Sequence, residues 1–232
     1  MADQHRDTLL DIAAPDLAPG AVCVLGGRLR TALDRLSAFP AKGHDKTACR
    51  YLWLYAASRR LVGLATDLAV TAQIDLPLAA GDGLPHLGIT VEDYRKHLAK
   101  PLGKAKSVVT LGAADGQLTL TIEGDDVAKV DARIPTPIDT DVLRRVGDML
   151  VHARAAAVDS ELTYGYAAIR GDLYARFGAN PAGVWYAPSG RAYVEVDADF
   201  RGYVQPARAR AYQRPLPAGQ VLPAIPTERT AA

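Results

Sequence analysis

The sequence predicts an α+β fold, and three observations carry that expectation. Period-two runs of apolar residues recur along the chain, separated by turn dipeptides such as Asp115-Gly116, the pattern of half-buried antiparallel strands. Only three windows show the three-and-four spacing of an apolar helical face. Helix-then-strands order appears twice before the proline-bearing stretch Arg133 to Asp141 and once more after it.

The elements follow in chain order. Residues 1–21 are polar, carry Pro15 and Pro19, and read as a flexible lead-in. Val22 to Leu25 begins ordered structure. From Gly26 to Phe39, Leu29, Ala32, Leu33 and Leu36 form one apolar helical face, with Arg28, Arg30 and Arg35 off it. Ala41 to Lys46 is a loop. Cys49 to Ala57, dense in Tyr51, Leu52, Trp53, Leu54 and Tyr55, predicts a strand. Arg59 and Arg60 mark a tight turn, after which Leu61 to Ala65 and Leu68 to Leu76 alternate as strands. Gly81 to Pro85 is a turn cluster. Thr90 is the expected N-cap of a second helix, with Glu92 and Asp93 in its first turn and Pro101 and Gly103 as its stop.

Ser107 to Leu111 and Gln117 to Ile122 flank Asp115-Gly116 as a hairpin, and Val127 to Ile134 continues the meander. Two prolines and no apolar period make Arg133 to Asp141 the expected domain boundary. A third helix is predicted from Asp141 to Ala156, capped by Asp139, Thr140 or Asp141, with Val142, Leu143, Val146, Leu150 and Val151 facing the core. Four strands are then expected at Ser160 to Ile169, Gly171 to Phe177, Gly183 to Ala187 and Arg191 to Val204, with turns at Asn180-Pro181 and Pro188-Ser189-Gly190. The organisation read from this is a first domain over 22–134, a smaller second domain over 135–210 without an evident second helix, and a disordered Pro/Ala-rich tail over 211–232.

At 232 residues, 49% hydrophobic and 23% charged, the chain belongs to the soluble globular class and suffices for one or two domains. Its net charge of +1 leaves any nucleic-acid contact to local clusters of cations. Cys23 and Cys49 lack the spacing of a zinc site or disulfide framework and are expected as buried free thiols. The N-terminus lacks the basic flank and apolar core of a signal peptide, and no apolar run reaches membrane-spanning length, so a cytoplasmic location is expected.

One segment resembles a known family. Arg59 to Leu78, RRLVGLATDLAVTAQIDLPL, matches the strand pair of DNA sliding-clamp domains at Leu64, Ala65, Thr66, Asp67 and Leu68, and again at Ile74, Leu76, Pro77 and Leu78. Phe200 to Arg208 is similar to the last strand of bacterial clamps. The resemblance implies domains whose helices pack on one side of curved antiparallel sheets. It implies a non-enzymatic processivity factor that encircles duplex DNA without sequence preference and needs no cofactor. Its partners would be a polymerase or other client, docking by a short peptide near the domain junction, and a clamp loader. Six domains close such a ring, so a two-domain chain would be a homotrimer.

Under that resemblance the DNA-binding candidates are the cations of the three helices. They are Arg28, Arg30 and Arg35; Arg95, Lys96 and Lys100 with Lys104 and Lys106; and Arg144, Arg145 and Arg154. Each set also fits an ordinary solvated helix face. The second is densest, with five cations and no acid between residues 95 and 106. Thr66-Asp67 reads as strand-end hydrogen bonding rather than catalysis. Tyr51, Trp53 and Tyr55 share one strand face and read as core or subunit contact before base stacking.

Catalytic and metal signals are lacking. His5, His44, His86, His97 and His152 are scattered without ligand spacing, and Asp139 and Asp141 fit capping. No phosphate loop or Gly-x-Ser-x-Gly elbow occurs. Three alternatives stay open: a degenerate clamp adaptor that forms no ring, a DNA-binding regulator, and an enzyme on an α+β scaffold. The regulator would need base-reading Asn or Gln beside Arg95, which the second helix lacks.

Overall fold

A computed structural model describes residues 17–41, 46–105, 107–159, 171–178, 181, 183–186 and 191–205. Helices and antiparallel sheets confirm the α+β class. The first unit contains β1 (Ala21–Leu25), α1 (Gly26–Leu36), β2 (Tyr51–Ala57), β3 (Arg60–Thr66), β4 (Val70–Pro77) and β5 (Leu87–Thr90). It continues with α2 (Val91–Asp93), a π-helical turn (Tyr94–Leu98), α3 (Ala99–Lys104), β6 (Val108–Ala114), β7 (Gln117–Ile122) and β8 (Asp125–Asp131). Beyond it lie α4 (Pro137–Asp159), α5 (Gly171–Tyr174) with a 3-10 turn (Ala175–Phe177), β9 (Gly183–Tyr186), β10 (Ala192–Asp197) and β11 (Phe200–Val204).

The first unit is an internal repeat of strand, helix and three strands. Its halves exchange their leading strands: β1 pairs with β6 and β5 pairs with β2, giving strand orders β1-β6-β7-β8 and β5-β2-β3-β4. Tight turns set the registers. Ser58-Arg59, Asp115-Gly116 and Glu123-Gly124 all have positive φ at both positions, as two-residue hairpin turns require.

The second unit extends the same sheet. β11 pairs antiparallel with β4, Gly202 opposite Ala72, and β10 and β9 follow, giving the order β5-β2-β3-β4-β11-β10-β9. Strand alternation then sorts this sheet into two faces. Leu52, Leu54, Leu61, Ala65, Ala72, Ile74, Phe200 and Val204 face one way, into the large core with Leu29, Leu33 and Leu36 of α1 and Leu98 and Leu102 of the 91–104 rod. Phe39, Phe177 and Phe200 pack edge-on or tilted in that core, with ring centroids 4.9–6.0 Å apart.

Trp53, Leu64, Tyr193 and Tyr203 face the other way, and α4 covers them with Leu143, Val146, Leu150 and Ala153. The one-sided packing implied by the resemblance therefore describes α1 and the 91–104 rod. α4 lies on the opposite face of the seven-stranded sheet, because the aromatic residues of alternate positions need an apolar cover of their own.

Several local expectations are corrected. Thr47–Arg50 is a 3-10 turn, so the strand begins at Tyr51 rather than Cys49. Leu87–Thr90 is a strand, too short to signal itself by alternation. The second helix continues through Pro101 to Lys104. Ahead of that proline the π-helical turn, closed by Ala99 N–H to Tyr94 C=O, widens the helix where a proline removes an ordinary bond.

The third helix begins at Pro137. Thr136 caps it, accepting the Asp139 N–H at 3.2 Å, while the Asp139 carboxylate accepts the Thr136 N–H at 3.1 Å. This is a capping box with proline at the first helical position. Val151, expected in the core, is 66% exposed, and Ala153 takes its place. Gly171–Phe177 is helical rather than a strand and supplies a short second helix: Leu173 and Phe177, four apart, are both buried on one face. The expected strand Ser160 to Ile169, Asn180, the turn at Pro188-Ser189-Gly190 and the 211–232 tail lie outside the described residues.

Candidate nucleic-acid interface

The cations singled out in the sequence separate into three environments. α1 presents Arg28, Arg30 and Arg35 away from its buried leucine stripe, and all three have acidic partners. Arg30 Nε donates to Asp34 at 2.7 Å, one turn on, and its Nη1 donates to the Ala99 carbonyl at 2.5 Å. Arg28 Nε lies 3.8 Å from Asp199. Arg35 pairs with Asp197 and places its guanidinium 5.6 Å from the Phe200 ring centroid.

The 91–104 rod is built differently. Thr90 caps it through a 3.0 Å bond from Asp93 N–H, as expected. Tyr94 and Leu98 anchor it in the core, and the Tyr94 hydroxyl donates to Asp34 at 2.5 Å. Burial, reinforced by that carboxylate, raises the Tyr94 phenol above its ordinary range. Asp34 thereby receives both Arg30 and Tyr94 and locks α1 beside the rod. The outward side of the rod carries Arg95, Lys96, Lys100 and Lys104, all exposed and with no ion pair among the described residues. Lys106 lies outside the described residues.

α4 carries the third set on the opposite face of the sheet. Arg144 pairs with Asp141 at 3.2 Å, and Arg145 and Arg154 are exposed. The three sets therefore do not form one surface: α1 and the rod share a side, and α4 does not. Periodicity could show that these cations point away from a core, but not which sheet face each helix covers.

Other singled-out residues have structural placements. Thr66 Oγ1 accepts the Leu68 N–H at 2.9 Å and lies 2.8 Å from Thr71 Oγ1. Asp67 Oδ1 accepts the Ala69 and Val70 amides, both at 2.9 Å, and its Oδ2 binds Arg176 of the second unit at 2.7 Å. Trp53 is buried and donates its indole N–H to the Ala48 carbonyl. Cys23 and Cys49 are free and buried, and burial pushes the Cys49 thiol up to about 11, far from a reactive thiolate. Among the described residues no group of three His, Cys, Asp or Glu side chains could hold a metal ion, and no helix is long and apolar enough to cross a membrane.

No protein-family model matches the chain, and no curated protein matches it in sequence. Solved structures do match. Pol III beta of Caulobacter crescentus superposes with a TM-score of 0.60 at 12% identity, over 85% of this chain and 68% of that one. This chain has the fold of DNA sliding clamps. The DNA polymerase III beta subunit of Pseudomonas aeruginosa gives 0.57 at 15% identity, over 85% and 69%. The Helicobacter pylori beta clamp bound to a DNA ligase peptide gives 0.54 at 13%, over 85% and 70%. At these identities the likeness is one of fold. The clamp fold accounts for the repeated strand-helix-three-strand unit and for the helical layer that holds α1 and the 91–104 rod.

Proposed function

We propose that this protein is a non-enzymatic, cytoplasmic clamp-fold tether that holds duplex DNA without reading its sequence and recruits a client to it. The supporting observation is the exposed set Arg95, Lys96, Lys100 and Lys104 on the helical side of a clamp fold. Four long, exposed cations with no ion pair among the described residues suit phosphate contacts made through water, which carry affinity but no sequence information. In this reading the protein acts as a homotrimeric ring, and the α4 cations contribute nothing to the duplex channel.

The client surface in this reading is the small cleft of about 150 Å³ at the end of the first unit, lined by Pro85, Leu87, Ala113, Ala132 and Ile134. Ile134 in that lining is 70% exposed, and Ile138, four residues on in the chain, is 77% exposed. The H. pylori clamp bound to a DNA ligase peptide offers a precedent for such an occupant. A second reading, a non-ring adaptor, is favoured by one observation: the second unit contributes three described strands to the first unit's sheet, with α4 on its far face.

Light scattering across a dilution series tests the ring. Three chains of 24.7 kDa give about 74 kDa for the trimer, and a monomer at every concentration leaves the adaptor. Replacing Arg95, Lys96 and Lys100 together by alanine tests the DNA surface. Duplex affinity is expected to fall and its salt slope to become shallower by about 2.7; an unchanged slope removes the rod from the DNA-facing surface.

A further inference from the structure

We propose that the β10–β11 turn is a built-in competitor for duplex phosphate, withholding Arg28 and Arg35 of α1 from DNA by pairing them with Asp199 and Asp197. The inference rests on the DNA-tether reading above and divides the cations of the helical layer into those that engage the duplex and those held back. The two arginines lie two helical turns apart on α1, and the two acids flank Ala198 at the turn. Together with Thr31, Leu76 and Phe200 they line one cavity of about 360 Å³ between helix and turn.

The turn is held in place independently of its charges. β11 is laddered to β4 from Phe200 to Val204, and the Asp199 carbonyl accepts the Asp75 N–H at 2.9 Å. Asp197 Oδ1 accepts the Asp199 N–H at 3.0 Å, fixing the turn's shape. Phe200 lies under the Arg35 guanidinium. Carboxylates fixed in this way compete intramolecularly, at an effective concentration that a phosphate from solution must exceed. Both arginines stay solvent-accessible, with side chains 51% and 39% exposed, so the acids rather than burial keep them from phosphate. The four exposed cations of the 91–104 rod make no ion pair among the described residues, although Glu123 and Asp125 line a cavity with Lys100 and Lys104, and Glu92 lines one with Arg95 and Lys96.

The test is the salt dependence of binding to a short fluorescein-labelled duplex, read by anisotropy with the full chain between about 50 and 200 mM salt. Asp197→Asn with Asp199→Asn keeps the Oδ1 acceptor and removes both charges. It is expected to steepen the slope of log affinity against log salt by about 1.8, a gain that shrinks roughly tenfold across that salt range. Adding Arg28→Ala and Arg35→Ala to that variant is expected to abolish the gain. The same two arginine replacements in the otherwise unchanged chain are expected to leave the slope as it was, a result that does not depend on the asparagine variant folding. Asp82→Asn with Asp115→Asn, an equal charge change in exposed turns, is expected to leave the slope alone.

An unchanged slope in the Asp197/Asp199 variant overturns the proposal. So does a loss of about 1.8 when the arginines alone are removed. Absence of duplex binding by the unaltered chain at the lowest salt refutes the DNA-tether reading itself, and this proposal with it.

Discussion

A pair of glycine-to-alanine substitutions, opposite in expected sign, tests how the two units are joined. Gly202 sits in β11 opposite Ala72 of β4. A Cβ built there would lie 2.1 Å from the Thr71 carbonyl oxygen and 2.6 Å from two atoms of the Phe177 ring. The ring can move, but the carbonyl belongs to the neighbouring strand, so relief requires displacing β11. That strand carries Phe200, Tyr203 and Val204, all buried. Overpacking a closed site costs about 1–3 kcal/mol, and with ladder bonds disturbed as well Gly202→Ala is expected at the upper end, about 3 kcal/mol, or roughly a hundredfold in the folding equilibrium.

Gly147, in the middle of α4, has nothing within 4 Å of its Cβ position. Gly147→Ala there should stabilise by about 0.5–1 kcal/mol through helix propensity alone. Urea unfolding monitored by circular dichroism compares the two midpoints directly. A Gly202→Ala midpoint equal to that of the unaltered protein would refute the pairing of β11 with β4, and with it the single sheet that runs through both units.

Asp139 makes stability depend on acid pH. Burial alone would raise its carboxyl, but the hydroxyl and N–H of Thr136 and the Arg133 guanidinium outweigh burial and bring it below the ordinary carboxylate range. Its contribution is therefore present above the unfolded value of about 3.9 and is lost as pH falls through the lower folded value. Asp139→Ala removes the carboxylate that accepts the Thr136 and Arg133 hydrogen bonds and should cost about 1–3 kcal/mol at neutral pH. It should also flatten the fall of thermal midpoint as pH drops below about 4; an identical pH profile would show that the capping box does not titrate with folding. Asp67→Ala removes two amide acceptor bonds and the Arg176 pair. It is expected to cost about 2–3 kcal/mol, while Arg176→Ala alone costs about 1 kcal/mol; equal costs for the two would place the whole contribution in the ion pair.

Much of the first unit was legible in the sequence, for a physical reason. Leu29, Leu33 and Leu36 fall on one face because a helix repeats every 3.6 residues, and Asp115-Gly116 turns a hairpin because both positions need positive φ. These signals are local. Where two periodicities overlap they mislead: Leu173, Ala175 and Phe177 alternate like a strand, yet Leu173 and Phe177 are also four apart, and the helix is what forms. The clamp resemblance rested on Thr66-Asp67 and the strands around it, and those two side chains prove to close the β3–β4 turn.

By itself the sequence determined the three longer helical segments, the hairpins of the first unit, the apolar stripe of α1 and the cationic outer side of the 91–104 rod, because each depends on neighbours a few residues away. It missed the helix at Gly171–Phe177 and the turn that splits Arg191 to Val204 into β10 and β11. Only the tertiary structure decided that β1 and β5 exchange partners, that β11 closes the edge of β4, and that α4 covers the aromatic face opposite α1. It alone gave Arg28 and Arg35 their acidic partners, more than 160 residues away along the chain. Such choices depend on which distant surfaces exclude water together, and no periodicity within a segment records them.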